Sequence, residues 1–424
     1  MKEDFLQYVW RLGLFDHSAL KTTENEKVSL LKKGIHNTNA GPDFLNAQII
    51  LDDTKWAGNI EIHLKSSDWN LHKHQFDKAY NNVILHVVLE EDEVVHNENG
   101  YRIPCLVLNK RIQKGLEKKY QRLMNSAYWI PCQHQFHQVP SIAKSSCLDR
   151  MLVERLEDRM HRFEEKLTLS KNDWEETFYL FLVRSFGLKV NNEAFERLAM
   201  SLPLRIILKH KTSLFQIEAL LFGQSGLLQG DLADEYSLSL KKEYAFLQKK
   251  YQLTPLPKEI WKFMRMRPAN FPTIRMAQLA ALIFQTEHLF SKILAAKSND
   301  EIINLFQLRL SPYWKTHYVF DKKSVARKKT LGKQAIQLLV INTIAPFVFM
   351  YGMKQGNDRY KEKALDLLEA IPPEKNKVIT EWIKLGIAPQ SAYQTQALLQ
   401  LKNNYCNQKR CVECSIGHHI LKQL

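Results

Sequence analysis

Residues 34–88 read GIHNTNAGPDFLNAQIILDDTKWAGNIEIHLKSSDWNLHKHQFDKAYNNVILHVV, and this stretch decides the fold. Within it Ile60, Ile62 and Leu64 alternate with Glu61, His63 and Lys65, the period-two pattern of a strand with one apolar and one polar face. Residues 45–51 and 56–65 flank Asp52-Asp53-Thr54, a turn short enough to fold one strand back on the other. Asp43 follows the Gly41-Pro42 turn, and Glu61 lies eighteen positions further on. Paired strands run about 5 Å apart, so the two acids could converge. A hard cation such as Mg²⁺ takes one or two carboxylates, completed by water and phosphate oxygens. His63 or Lys65 beside it would orient an attacking water or balance developing charge.

Outward from this hairpin, residues 4–15 space Phe5, Val9 and Leu12 on one helical face, and Glu3 or Asp4 at its start is either a further acid for the site or a capping charge. Residues 27–35 read as a strand, and His36, Asn37 and Asn39 then loop into Gly41. Residues 83–89 form a nearly continuous apolar run, as in a strand buried on both faces, and 102–108 add an edge strand. One helical connection between Lys65 and Val83, capped at Ser67 or Asp68, would complete an order of helix, three strands, helix, strand. On that helix His72 and His74 would point about 200° apart and act singly. Were the segment extended, they could join Asp77 and His86 around a transition metal. His86 itself is expected to be a satisfied core residue.

Pro42-Asp43, a hairpin and then Glu61-x-His63 resemble the PD-(D/E)xK phosphodiesterase superfamily, whose motif is an Asp after Pro, a second acid on the next strand and a Lys two residues on. The resemblance implies a restriction-endonuclease-like α/β core (α-β-β-β-α-β). It also implies Mg²⁺ or Mn²⁺ held by Asp43, Glu61 and the carbonyl of Ile62. His63 stands where the motif has Lys, so His63 takes that role, or Lys65 does, or the site is inactive. The whole chain is also similar to a bacterial family known as domain of unknown function 2851, through NAGPDF, GNIEIHLKSSDW, YNNVILHVV and the Cys-containing C-terminus.

The chain has 424 residues, enough for two or three domains with real cores. Residues 1–125 are read as the nuclease-like domain, 126–400 as a basic α-helical domain, and 401–424 as a Cys-containing C-terminal segment. No N-terminal leader pattern is apparent. The most apolar run, 336–350, is short and holds Asn342 and Pro346, so a buried helix, no membrane partner and a cytoplasmic location are expected. Charge divides unevenly: residues 1–110 carry 12 Lys+Arg against 16 Asp+Glu (net −4), the remainder 48 against 29 (net +19). An acidic core that gathers cations beside a basic partner that grips a polyanion fits nucleic acid.

From about residue 145 the pattern is helical, with segments at 147–167, 174–186, 192–200, 215–228, 241–251, 275–290, 333–350, 358–369 and 376–385, and no fixed-period repeat. Two basic stretches could contact phosphates: Arg265 and Arg267, followed by Arg275, and Lys322, Lys323, Arg327, Lys328, Lys329 and Lys333. Tyr313, Trp314, Tyr318 and Phe320 nearby are core aromatics or a stacking platform for unpaired bases. Cys406, Cys411 and Cys414 form C-x4-C-x2-C, with Lys409 and Arg410 placed to lower their pKa. With His418 or His419 they would bind Zn²⁺, with Cys132 an iron–sulfur cluster, and otherwise they are free thiols. Cys105 and Cys147 read as small core residues. The expected function is a divalent-metal-dependent phosphodiesterase acting on nucleic acid. The alternatives are an inactive nuclease-like scaffold that binds nucleic acid or protein, and a transition-metal hydrolase built on the histidines.

Overall fold

The hairpin forms as the alternation requires. In the computed structural model, which describes residues 2–422, strand β3 (Phe44–Leu51) pairs antiparallel with β4 (Thr54–Lys65), Leu51 facing Thr54. Asp52 turns the chain in the left-handed region at φ 51°, and its carboxylate accepts the amide of Lys27 at 2.8 Å. Strand β1 (Val28–Lys32) joins the other edge of β3, and the two-residue β2 (Ile35–His36) pairs with the start of β3. The single strand expected over 27–35 is thus broken in two, with Gly34 at φ 90° in the gap. On the far side β5 (Val83–Glu90) runs parallel to β4, and β6 (Cys105–Val107) parallel to β5. The sheet order is β1-β3-β4-β5-β6, half antiparallel and half parallel. Gly58 is required where β4 passes the start of β5, because a Cβ there would stand 2.5 Å from the carbonyl of Asn82.

A parallel step needs a crossover. Here it is one four-residue helix, α2 (Asp68–Leu71), followed by single turns at His74–Phe76 and Lys78–Tyr80. Ser67 donates its hydroxyl to Asp92 at 2.9 Å instead of capping. Helix α1 (Glu3–Leu12) packs against β4 and buries Phe5, Leu6, Tyr8, Val9 and Trp10, more of its circumference than one apolar stripe.

The chain forms two compact units, Met1–Leu148 with Leu401–Leu424, and Asp149–Gln400. The first unit therefore runs past the boundary read at 125/126. The C-terminal segment belongs to it and does not stand apart. The second unit is helical. Trp174–Phe186 begins where Asp173 accepts the amide of Glu176 at 3.0 Å, and Asp358–Glu369 and Lys377–Lys384 begin on Asn357 and Asn376 caps. Lys333–Gln355 is continuous through a π-turn at Val340–Ile344, which accommodates Pro346 by shifting the bond its ring cannot donate. By length and composition that helix could cross a membrane, but 72 % of its most apolar window is buried.

Candidate functional site

Glu61 and His63, two apart on β4, emerge on the same face of the sheet, and both are buried, at 4 % and 0 % exposure. Asp43, just before β3, meets them through its backbone and its side chain. Its amide donates to Glu61 Oε2 at 3.0 Å, and its Oδ2 accepts the amide of Ile62 at 3.1 Å. Gln7 on α1 donates to the other oxygen, Oδ1, at 2.8 Å. One helical turn before Gln7, Glu3 brings a third carboxylate, its Oε1 3.8 Å from His63 Nε2. Asp4 turns away and accepts the hydroxyl of Tyr120 at 3.0 Å, so of the two acids opening the helix Glu3 is the one that reaches the site.

Four imidazoles complete the cluster. His63 Nδ1 lies 2.8 Å from His86 Nε2, and His63 Nε2 lies 3.2 Å from His72 Nδ1. Glu61 Oε1 is 3.6 Å from His63 Nε2 and 3.5 Å from His74 Nε2. One ligating atom from each of His63, His72 and His74 falls within 4.8 Å of the others. On a helix His72 and His74 would lie on opposite sides, and only a departure from helix would let them meet. In the structure α2 stops at Leu71, and Lys73 takes a left-handed conformation at φ 63° that swings His74 back beside His72. Asp77 stays outside: it is exposed and caps the next turn by accepting the amide of Ala79 at 2.9 Å. His86 is fully buried, but it is not the satisfied core residue expected, because its Nδ1 has no hydrogen-bond partner.

The electrostatics of this group oppose charge of either sign. Burial, reinforced by the Asp43 charge, holds the Glu61 carboxyl far above the usual range, and burial raises Asp43 despite the bonds from Ile62 and Gln7. Glu3 is pushed up to about 7 by burial and then by the charges of Asp43, Asp68 and Asp4. The imidazoles move the other way. Burial and neighbouring rings push His63 down to about 2, His86 to about 3 and His74 to about 4. At neutral pH these three rings are uncharged and carry lone pairs, while Glu61 and in part Glu3 retain protons that a cation would displace.

The donor set fits a first-row transition ion. Metal–nitrogen bonds of about 2.0–2.1 Å would draw these atoms, now within 4.8 Å of one another, to within about 4 Å. Were His63 to bind through Nε2, its Nδ1–H would point at His86 Nε2, the outer hydrogen bond that orients a ligating histidine. Lys65 takes no part: more than half exposed at the end of β4, it lies 3.7 Å from Asp92. Gln7 was not anticipated. Its only signal is the spacing of Glu3 and Gln7, one turn apart on a helix whose other residues are largely buried.

The remaining candidates lie elsewhere. In the second unit Arg265, Arg267, Lys322, Lys323, Arg327, Lys328 and Lys333 are exposed. Arg275 is buried and bonds Asn270 and Gln278 at 2.7 and 3.2 Å. Lys329, expected among the phosphate contacts, is buried as well: its ammonium donates to the carbonyls of Trp314 and Lys315, each at 2.8 Å, over the Tyr318 ring. Trp314 is a core residue stacked on Phe222 and bonded to Glu218 at 3.1 Å, so it offers no face to a base. Cys406, Cys411 and Cys414 lie in the first unit, where Cys132 and Cys147 join them. His418 is not poised as a ligand through Nδ1, which meets the Tyr8 hydroxyl at 3.0 Å.

The model of the family described as Protein of unknown function (DUF2851) matches residues 3–377. No curated protein and no solved structure matches the chain.

Proposed function

The chain belongs to the DUF2851 family, and from the centre it carries we propose that it hydrolyses phosphodiester bonds of nucleic acid with a divalent cation. The observation that carries this reading is the convergence of three carboxylates, Glu3, Asp43 and Glu61, with ring nitrogens of His63, His72 and His74. The order helix, hairpin, crossover, parallel strand supports a restriction-endonuclease-like core, and Pro42-Asp43 with Glu61 occupies the places of that motif's acids. Asp43, Glu61 and the Ile62 carbonyl would hold the cation, with the imidazoles beside them. So many nitrogen donors favour Mn²⁺ or a similar transition ion over Mg²⁺, which prefers an oxygen shell. Bound there, such an ion would polarise a phosphate oxygen and lower the pKa of water.

The chain's own groups divide the remaining work. His63 is committed on one side to His86 and faces the carboxylates on the other, and Lys65 points to Asp92. The proton acceptor is then His72, the exposed ring of the cluster, which leaves His63 and His74 as the nitrogen donors to the cation. Leu71 and Phe76 in the same segment are 74 % and 75 % exposed, an apolar edge against which a base can lie. The exposed cations of the second unit would supply phosphate contacts independent of sequence.

The test is cleavage of labelled single- and double-stranded DNA and RNA by the purified chain, with Mn²⁺, with Mg²⁺ and with chelator. Glu61→Gln should lower metal-dependent cleavage by about two orders of magnitude, the scale of losing one strong transition-state contact. Equal cleavage by Glu61→Gln would remove the centre from the mechanism. The second reading, a nucleic-acid-binding scaffold without turnover, draws on the near-complete burial of Glu61 and His63. It predicts salt-dependent binding and no metal-dependent cleavage of any of the four substrates.

A further inference from the structure

All six cysteines of the chain lie in the first unit, and the 252 residues of Asp149–Gln400 contain none. Five of the six gather from three separate places. Cys132 ends the Trp129-Ile130-Pro131 turn, Cys147 lies in the second turn of the helix Ser141–Leu169, and Cys406, Cys411 and Cys414 come from the C-terminal segment. Cys147 is fully buried, and Cys132, Cys411 and Cys414 are 7–8 % exposed. The Cys414 thiol is hydrogen-bonded to Cys147 and takes the amide of Gly417. Burial opposes the ionisation of Cys406, and Cys132, Cys411 and Cys147 lie within electrostatic range and oppose it further. Cys105 lies apart, beside Glu91.

The backbone of the segment is shaped to this end. Lys409 takes φ 55° between Cys406 and Cys411, with the amide of Lys409 on the Cys406 carbonyl at 3.2 Å and that of Cys411 on Lys409 at 2.8 Å. Cys414 immediately precedes the helix Ser415–Lys422, whose Gly417 amide bonds its sulfur, although the bond with Cys147 and burial hold the free thiol well above the ordinary range. That helix lies directly on the Cys411 turn, because a Cβ on Gly417 would stand 2.2 Å from the Cys411 carbonyl. Lys409 and Arg410 do not activate the thiols as their spacing implied: Arg410 pairs with Glu413, and burial pushes the Cys411 thiol up to about 12 in spite of Lys409. Cysteines serving as small apolar residues would be scattered through both cores. Here one is, and five share a nest.

We propose that this nest binds an iron–sulfur cluster, its four ligands drawn from Cys132, Cys147, Cys406, Cys411 and Cys414. Zinc with bonds of about 2.3 Å would draw its thiolates to within about 4 Å of one another. Among the described residues, the histidines provide the one group of three ligating atoms within 4.8 Å. Sulfurs that are neighbours yet further apart suit a cluster, in which each thiolate binds a different iron. Each ligating thiol gives up its proton as it binds. The cluster would pin the C-terminal segment to Cys132 and Cys147.

The test uses the full chain, produced with ample iron and purified without oxygen, and measures iron, zinc, acid-labile sulfide and visible absorption. Iron and sulfide in equal amounts, with absorption bleached by dithionite, are expected. Cys406→Ser, Cys411→Ser and Cys414→Ser should each lose most of both, and Cys105→Ser neither. Should the variants fold poorly, chelation of the wild-type chain followed by reconstitution with iron and sulfide must restore the absorption. Zinc without sulfide, absence of metal after reconstitution, or equal loss in Cys105→Ser would overturn the assignment. Glu61→Gln should keep the full cluster, so failure here and failure of the phosphodiesterase reading are separate results.

Discussion

The backbone amide of Asp43 donates to Oε2 of Glu61 at 3.0 Å, so the main chain of one acid fixes the carboxylate of the other. The carboxylate of Asp43 is engaged by Ile62 and Gln7, which fixes its position without neutralising it. Each acid is thereby held where its charge opposes the other's.

Without metal, this arrangement sets how stability changes with pH. Glu3, raised from 4.5 to about 7, and Glu61, raised further, keep protons in the folded state that the unfolded chain releases. Their contribution is full below the ordinary carboxylate range and is lost as pH rises through 7 and beyond. His63, His74 and His86 are lowered from 6.5, so theirs is full above 6.5 and is lost as pH falls below it. Thermal melts in chelator should therefore peak between pH 4.5 and 6.5 and decline on both sides. Glu61→Gln should flatten the alkaline arm, and an alkaline arm identical in the variant would contradict the assignment.

Metal binding should release protons and tighten as pH rises from 6 to 8, because the carboxyls must ionise first. Calorimetric titration with Mn²⁺ in two buffers of different ionisation enthalpy reads this directly. Identical heats in both buffers would mean that the protons are not there.

His86 acts through His63. His86→Ala should weaken Mn²⁺ binding by about 10–100-fold, the usual cost of removing an outer-shell partner, with partial recovery in His86→Gln. Mn²⁺ titration followed by electron paramagnetic resonance distinguishes this from a packing defect, which Gln would not repair.

Lys73 tests the turn that gathers the histidines. Glycine accepts φ 63° freely, so Lys73→Gly should raise stability by about 1 kcal/mol and leave metal affinity unchanged. Lys73→Pro cannot adopt that angle and also loses the 3.1 Å bond to the Asn70 carbonyl, so it should abolish tight binding. Denaturant midpoints should rise in Lys73→Gly and fall in Lys73→Pro, and metal titrations should change only in the proline variant.

In the basic stretch, Lys322, Lys323, Arg327 and Lys328 should behave differently from Lys329. Gln at any of the first four should reduce the slope of log affinity against log salt for nucleic acid by about one, with stability unchanged. Lys329→Met should leave the slope alone and cost about 1–3 kcal/mol, since it strands the carbonyls of Trp314 and Lys315.

Local patterns were readable where one period or one cap dominates. Trp174–Phe186 and Asp358–Glu369 start and stop where their spacing and caps place them. The hairpin around Asp52 follows from alternation and a short turn. The crossover was misread because nothing in the composition of residues 66–82 announces a left-handed lysine, and that single angle decides whether His72 and His74 meet. Lys65 and Lys329 illustrate a second limit. A strand face or a run of cations tells which residues share a surface, but not which cation finds a carboxylate or a pair of carbonyls first.

The segment after Gln400 belongs to the same compact unit as the first 148 residues, while the helices between form a unit of their own. During synthesis the helical unit can therefore fold as soon as it emerges, whereas the first unit, its sheet complete by Val107, still lacks its C-terminal segment. Any chemistry at Asp43 and Glu61 that depends on the finished unit then begins only once the intervening helices have been made. Translation order would act as a timer on the centre.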